Sequence, residues 1–149
     1  MLAQLEKLYL RDLDRLKAEI TAYNNAAIMW QTPGGISNSA GNLCLHLIGN
    51  LNHFIGTHLG GTSYVRQRPL EFSEKNIPVS TMVAQIDDLK IVISNALTDL
   101  DSAQLGADFP ILVFGDQRQV TIGFMLQHLL GHLNYHLGQI NYHRRLLDL

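Results

Sequence analysis

The sequence predicts an all-α protein, a four-helix bundle formed by a single domain over residues 1–149. Four segments of about 20 residues each carry apolar residues at the spacing of an amphipathic helix. The connections after the first three helices leave room for crossover topology as well as for a simple up-and-down bundle. A chain of 149 residues is long enough to bury its own core.

The first helix is predicted from one apolar stripe. Apolar residues recur every three to five positions within Leu5–Tyr23, and the opposite face is charged. Thr32–Gly35 is the strongest loop signal of the chain, because it contains Pro and two Gly in a row. Ser37 or Ser39 then offers an N-cap for a second helix that runs to about His58.

Two further helices complete the bundle. Gly60–Pro78 is polar and forms the longest connection, after which Ser80 caps the third helix. Thr121 caps the last helix, which reaches Leu147. Between them, Pro110–Val120 combines a short apolar run, a turn and polar residues, which predicts a small hairpin before the last helix.

Composition excludes several classes of function. The net charge of −2 provides no basic field for a phosphate backbone, so we expect no nucleic-acid partner. The first residues mix Leu with charges, unlike a signal peptide. The long uncharged stretch from Ile36 to Tyr64 is broken by Asn, Ser, Gly and three His, so no window of about 18 apolar residues predicts a membrane span. We therefore expect no membrane association and a cytoplasmic protein. The only cysteine, Cys44, stands in an apolar row and is predicted to be a core residue rather than a ligand.

The last helix carries the most informative pattern, four of the seven histidines. His128, His132 and His136 are spaced by four residues, so neighbours are turned by about 40° and can point at one metal ion. The spacing leaves two pairs open, 128/132 and 132/136. His143 lies about 10 Å beyond His136 and cannot share that ion.

The second helix can supply a third ligand. His46 and His53 lie on one stripe two turns apart, so only one of them can reach a given ion. His46 stands in an apolar run and is predicted to be buried, and a buried imidazole needs a hydrogen-bond partner or a metal. His53 and His58 are nearer the helix end and are expected to be solvated. The alternative for each histidine is a hydrogen-bonded structural residue.

Glycines also recur at a spacing of seven on both histidine-bearing helices, Gly49 and Gly56 on one and Gly131 and Gly138 on the other. Each lowers helix stability by roughly 1 kcal/mol relative to Ala, so each needs a reason. Close helix–helix approach is the favoured reason. A cavity beside the metal is the alternative.

The last helix resembles the closing helix of the DinB-like (DinB/YfiT-like) superfamily. The resemblance is carried by the run from His128 to Gln139, in which spaced histidines are followed by Gly138-Gln139. The segment from Gly41 to Ile55 is similar to the second helix of that superfamily. Length, helix number and histidine order extend the resemblance over the whole chain.

The resemblance implies a four-helix bundle with crossover connections, often a homodimer, that holds one divalent metal ion. The ligands it implies are His46, His132 and His136, with His128 as a neighbour that stabilises the pocket. Many relatives have His and Arg beside the final ligand. Here Tyr135 and Leu137 stand at those positions, so a substrate contact by that charged residue is not carried over.

Characterised members of the superfamily include transferases and isomerases that use low-molecular-weight thiols such as bacillithiol, mycothiol or glutathione. The resemblance therefore implies a metal-dependent transferase for a small-molecule substrate, with Tyr135, Gln139 and Tyr142 as candidates for orienting groups. All-nitrogen ligation suits zinc or nickel. The alternatives are a metal-dependent hydrolase and a non-catalytic binding protein. The sequence contains no HExxH pattern, which would have supported hydrolysis, and no carboxylate at helical spacing beside the histidines.

Overall fold

A computed structural model describes the whole chain, residues 1–149, and it confirms the all-α prediction. No helix combines the length and the apolar character needed to cross a membrane. The elements are the helices α1 (Leu2–Thr21), α2 (Ala40–Leu51), α3 (Arg68–Ser73), α4 (Val79–Asp99) and α5 (Ile122–Leu147), the π-helical turn Asn52–Thr57 that continues α2, and the 3-10 turns Ile28–Trp30 and Ser102–Gly106.

The four long helices surround one core of 29 buried apolar residues. α1 packs along α4 and α5, and α2 packs along the same two helices. α1 and α2 therefore lie across the bundle from each other, as do α4 and α5. The connections from α1 to α2 and from α4 to α5 consequently cross an end of the bundle, which is the crossover alternative of the prediction. Cys44 is fully buried in this core, as predicted, and burial raises the pKa of its thiol to about 12.

The N-caps of the two histidine-bearing helices are those expected from the sequence. The Ser39 hydroxyl accepts a hydrogen bond from the Asn42 backbone N–H, and the Thr121 hydroxyl accepts one from Phe124 N–H. Both satisfy a donor that has no partner within its helix. The predicted Ser80 cap of α4 is wrong. Pro78 occupies the capping position in an extended conformation, so the helix begins one residue before Ser80.

The predicted hairpin before the last helix is also wrong. Only one isolated antiparallel bridge forms, between Asp108 and Thr121. Next to it, Phe109 and Val120 are buried and joined by one backbone hydrogen bond of 2.8 Å. The Gln119 side-chain amide also donates to the Phe109 carbonyl, and the residues between close into a turn instead of continuing a ladder. Burial of two side chains anchors this loop without strand pairing.

The long connection between α2 and α4 contains the short helix α3, which the sequence pattern did not predict. α3 packs against α2. The buried Asn42 amide of α2 donates to the carbonyls of Glu71 and Glu74, at 3.0 and 2.9 Å, and so fixes the C-terminal end of α3. Glu71 is thereby brought to the surface of α2 and is itself buried, with 6% of its surface exposed.

Candidate metal centre

Three histidines from α2 and α5 meet at one point inside the bundle. His132 Nε2 lies 3.2 Å from His46 Nε2 and 3.1 Å from His136 Nε2. One ligand atom from each of the three lies within 4.8 Å of the others, so the group can hold a metal ion. His132 and His136 point the same way because they are one helical turn apart on α5. Of the two pairs that the spacing left open, the structure brings 132/136 together with His46.

The nitrogen spacing fits a tetrahedral ion. Zn–N bonds of about 2.0–2.1 Å at tetrahedral angles place neighbouring nitrogens about 3.3 Å apart. The two measured separations, 3.2 and 3.1 Å, are close to that value. The group contains three side chains, so a tetrahedral ion bound there has one position left for a water, a cofactor or a substrate.

A carboxylate holds His46 in the tautomer that binding requires. His46 Nδ1 lies 2.9 Å from Glu71 Oε2, and a carboxylate can only accept, so Nδ1 carries the proton. Nε2 of His46 is then an unprotonated lone pair aimed at the other two histidines. Arg66 fixes Glu71 through two hydrogen bonds, from Nε to Oε1 at 2.7 Å and from Nη2 to Oε2 at 2.9 Å.

His136 is oriented in the same manner by an amide. Its Nδ1 lies 2.7 Å from Gln139 Oε1, which accepts the Nδ1 proton and leaves Nε2 as the lone pair. His132 differs, because its Nδ1 is buried and has no hydrogen-bond partner. A buried polar atom without a partner costs about 1–3 kcal/mol. The site therefore keeps two nitrogen lone pairs together and leaves one imidazole incompletely bonded, an arrangement that metal binding would stabilise.

The electrostatics keep the rings of His132 and His136 neutral. Burial, followed by the neighbouring His136 and His46, lowers the pKa of His132 to about 4. Burial and His46 also lower the pKa of His136, against the opposing hydrogen bond to Gln139. Burial alone would raise the pKa of Glu71, but the hydrogen bonds from His46 and Arg66 outweigh it and lower that pKa. At neutral pH the His132 and His136 rings are thus uncharged, the form that ligates metals.

The other predicted site residues lie at different distances from this centre. Gln139 is joined to the centre by its hydrogen bond to the ligand His136. Tyr135 packs edge-on against the His136 ring at 5.2 Å between centroids, but 65% of it is exposed. Tyr142 does not reach the three histidines; it lines a separate cavity of about 370 Å³ with Gly35–Asn38 and the end of α5. His128 is exposed and stacks on Phe124, one turn before His132.

Three further histidines are placed outside the centre. His143 is buried and hydrogen-bonded at both ring nitrogens, by Tyr23 Oη at 2.8 Å and by the Gln31 carbonyl at 2.9 Å, so it is a structural residue. His53 and His58 are half-buried and pack against each other at 4.7 Å between ring centroids. The expectation that these two are solvated is correct only in part, because their rings also pack against Phe54 and Phe109.

The glycines divide into two kinds. A Cβ on Gly49 would lie 2.2 Å from Glu71 Oε1, so this glycine makes room for the buried carboxylate. A Cβ on Gly56 would lie 3.0 Å from Val92 on α4, in agreement with close helix packing. A Cβ on Gly131 or on Gly138 would meet nothing within 4 Å, and both residues lie on the exposed face of α5. Close approach is therefore the wrong explanation for this second pair.

Sequence reasoning missed Glu71 and Arg66. Both stand in the long polar connection, with no helical register relative to His46, so spacing could not relate them to the site. Gly49 was the one available signal, because it marked a position on α2 that a neighbour must approach closely.

Comparison with known protein families, with curated proteins and with solved structures finds no match for this chain.

Proposed function

We propose that the chain is a DinB-like metal-dependent transferase, in which His46, His132 and His136 hold one zinc or nickel ion and a low-molecular-weight thiol is activated for attack on a small electrophile. The observation that carries the proposal is the convergence of three imidazole nitrogens with two of their tautomers fixed from behind. Buried structural histidines satisfy both nitrogens by hydrogen bonding. In this cluster, Nδ1 of His132 has no hydrogen-bond partner.

The ion would supply a Lewis acid that lowers the pKa of a bound thiol or water. The protein would contribute the rest. Glu71 and Gln139 orient two ligands, and the fixed Arg66 keeps Glu71 in place. In the transfer, the thiol sulfur forms a bond to the electrophilic carbon, the leaving group departs with its electron pair, and the thiol proton passes to solvent.

The transferase is favoured over a hydrolase by the state of Glu71. Hydrolysis by a bound hydroxide is helped by a free carboxylate acting as a general base. The only buried carboxylate beside the ligands, Glu71, is fully engaged by His46 and Arg66 and has a lowered pKa. It is therefore a poor base, whereas thiol transfer needs none once the thiol is deprotonated.

Metal stoichiometry tests the centre. Protein purified without a nickel column is analysed by mass spectrometry and by competitive zinc titration, with His46→Ala, His132→Ala and the exposed His128→Ala as the matched control. We expect one ion per chain in the wild type and in His128→Ala, and a loss in the other two. Zinc binding that survives both ligand substitutions would contradict the assignment.

Activity is tested separately. Zinc- and nickel-loaded protein is incubated with glutathione and a chlorodinitrobenzene, and release of chloride is followed together with formation of the thioether. We expect turnover that His132→Ala abolishes. A protein that binds zinc at these residues but turns over no thiol–acceptor pair, and instead cleaves esters, would be a hydrolase; one that does neither would be a binding protein.

A homodimer is proposed from one face of α5. Four large apolar residues are exposed on it at helical spacing, Phe124, Tyr135, Tyr142 and Leu146, each with at least 46% of its surface accessible. A second copy of the chain would cover this stripe, as in the dimers that the resemblance implies. Sedimentation analysis of the wild type and of Tyr135→Glu tests it: a dimer that becomes monomeric supports the interface, and a monomeric wild type overturns it.

A further inference from the structure

A cavity of about 280 Å³ opens directly beside the candidate metal centre. His46 and His132 form its inner end, and Arg66 and Arg68 stand at the edge supplied by the connection after α2. The volume is at the small end of the range of about 300–1,000 Å³ that ligand pockets occupy. A small molecule in this cavity would place one end against the histidines.

Five of the eleven residues that line the cavity are apolar, and they form one part of its wall. It is contributed by α5, by the loop before α5 and by the π-helical turn, with the residues Phe54, Val113, Phe114, Met125 and Leu129. Two aromatic rings and a methionine are the surfaces to which a flat hydrophobic group binds best. The middle of the ligand is therefore expected to be apolar or aromatic.

The charge at the edge of the cavity is positive and only partly compensated. No Asp or Glu lines it. Arg66 is neutralised by Glu71, to which it donates two hydrogen bonds. Arg68 has no carboxylate partner, and its guanidinium lies over the Phe72 ring, 5.4 Å from the centroid. A guanidinium held over an aromatic ring keeps its fork of N–H donors available for a carboxylate.

A buried amide also points to a ligand. Asn50 follows His46 by one turn of α2, lines the cavity and is only 7% exposed. Its Oδ1 has no hydrogen-bond partner. Buried side-chain amides in proteins are nearly always bonded, so an unpaired one at a cavity wall is expected where a ligand completes the bonding. This observation is independent of the arginines.

We propose that this cavity is the substrate pocket of the metal centre and that it selects a small molecule with an apolar or aromatic body and a carboxylate, which Arg68 binds. The proposal rests on the metal-dependent function proposed above, since the opposite end of the ligand faces His46 and His132. It adds the class of substrate, an anionic and amphipathic one, and the residue that selects it.

The test uses two probes that differ only in charge, para-mercaptophenylacetate and its neutral amide. Their dissociation constants are measured by NMR titration at neutral pH with zinc-loaded and with metal-free protein. We expect the carboxylate to bind about tenfold more tightly than the amide in both forms, because the contact to Arg68 does not need the metal. Arg68→Gln is expected to abolish this preference while leaving zinc affinity and amide binding unchanged.

Two further variants define where the probes bind. Arg145→Gln, an exposed arginine that lies over Tyr142 instead, is the matched control and should keep the tenfold preference. Phe114→Ala removes part of the apolar wall and should weaken both probes while keeping their ratio. Equal binding of the two probes to the wild type, a preference that survives Arg68→Gln, or binding unaffected by Phe114→Ala would each overturn the proposal. Failure of zinc binding would be seen separately, in the zinc titration. The titration of the two probes into metal-free protein would still test whether the pocket binds them.

Discussion

Two histidines of the same helix have opposite surroundings, one of them buried and the other half-buried with a buried Nδ1. His143 and His132 both project from α5 and lie about 16 Å apart along its axis. His143 uses both ring nitrogens, one with Tyr23 and one with the Gln31 carbonyl. His132 has an unpaired Nδ1 and turns Nε2 toward two other imidazoles. Both histidines contain buried ring atoms, so burial alone does not separate them. The completeness of hydrogen bonding separates the structural histidine from the candidate ligand.

Three other polar side chains of α5 follow the pattern of His143. On the side that faces α1, Asn134 donates to Asp12 at 2.8 Å, and Arg144 and Asn141 donate to the two carboxylate oxygens of Glu19. Each of these groups connects two helices and has its partner within the protein. On the side where α5 meets His46 of α2, by contrast, Nδ1 of His132 is buried without a hydrogen-bond partner. The comparison predicts that the two sides respond differently to substitution.

The largest expected effect is that substitutions of the two histidines change different properties of the protein. His132→Leu should lower zinc affinity by at least about 100-fold, because a ligand is lost. It should lower the stability of the metal-free protein less than His143→Leu does, because the loss of the contacts to His46 and His136 is offset by removal of an unpaired buried nitrogen. His143→Leu should leave zinc affinity unchanged and lower the free energy of unfolding by about 1–3 kcal/mol, because the Tyr23 hydroxyl and the Gln31 carbonyl lose their partner. Zinc titration and urea unfolding of the metal-free proteins measure both.

A second prediction concerns the carboxylate behind His46. Glu71→Gln should lower zinc affinity by about 10- to 100-fold, since the amide carries no negative charge and can also turn its N–H group toward Nδ1, which favours the other tautomer. Nitrogen NMR of the His46 ring should show Nδ1 protonated in the wild type and a mixture of tautomers in the variant. Glu74→Gln, an exposed neighbour just after α3, is the control. Unchanged zinc affinity in Glu71→Gln would mean that the carboxylate only anchors α3.

The sequence was sufficient for the four long helices and for the helical spacing of the histidines on α5. Amphipathic periodicity and the caps Ser39 and Thr121 are local signals, and the structure keeps them. The spacing of His132 and His136 by four residues is also local, because one helix determines it. Their meeting with His46 could be expected only from the resemblance, since the relative position of two helices is not encoded in the spacing of either.

The parts that could not be predicted depend on tertiary contacts. Glu71 reaches His46 because Asn42 fixes the end of α3, and neither event leaves a periodic pattern in the sequence. The hairpin prediction was wrong for a related reason: burial of Phe109 and Val120 replaced strand pairing. Gly49 indicates a close approach, but a missing side chain does not say which neighbour fills its place.

A third prediction uses two glycines that have opposite surroundings. Gly49→Ala should destabilise the protein by about 1–3 kcal/mol and weaken zinc binding, because its Cβ would collide with the Glu71 carboxylate. Gly131→Ala meets open space on an exposed helix face and should stabilise the protein by up to about 1 kcal/mol. Thermal unfolding of the metal-free proteins and zinc titration separate the two. A Gly49→Ala variant with normal zinc affinity would show that the carboxylate can move without consequence for His46.

The smallest expected effect lies on the structural side of α5, in the pH dependence of stability. Burial opposes ionisation of Asp12, but hydrogen bonds from Arg11 and Asn134, with the charges of Arg11 and Arg15, lower its pKa. A carboxyl group with a pKa below its unfolded value of about 3.9 stabilises the fold above that pH and loses this contribution as the pH falls through the folded pKa. Asp12→Asn should therefore have a lower unfolding temperature than the wild type at pH 6. At pH 3 the difference in unfolding temperature between the two proteins should be smaller. Zinc affinity at neutral pH should be unchanged. A constant difference between the two proteins from pH 6 to pH 3 would mean that Asp12 contributes by packing and not by its charge.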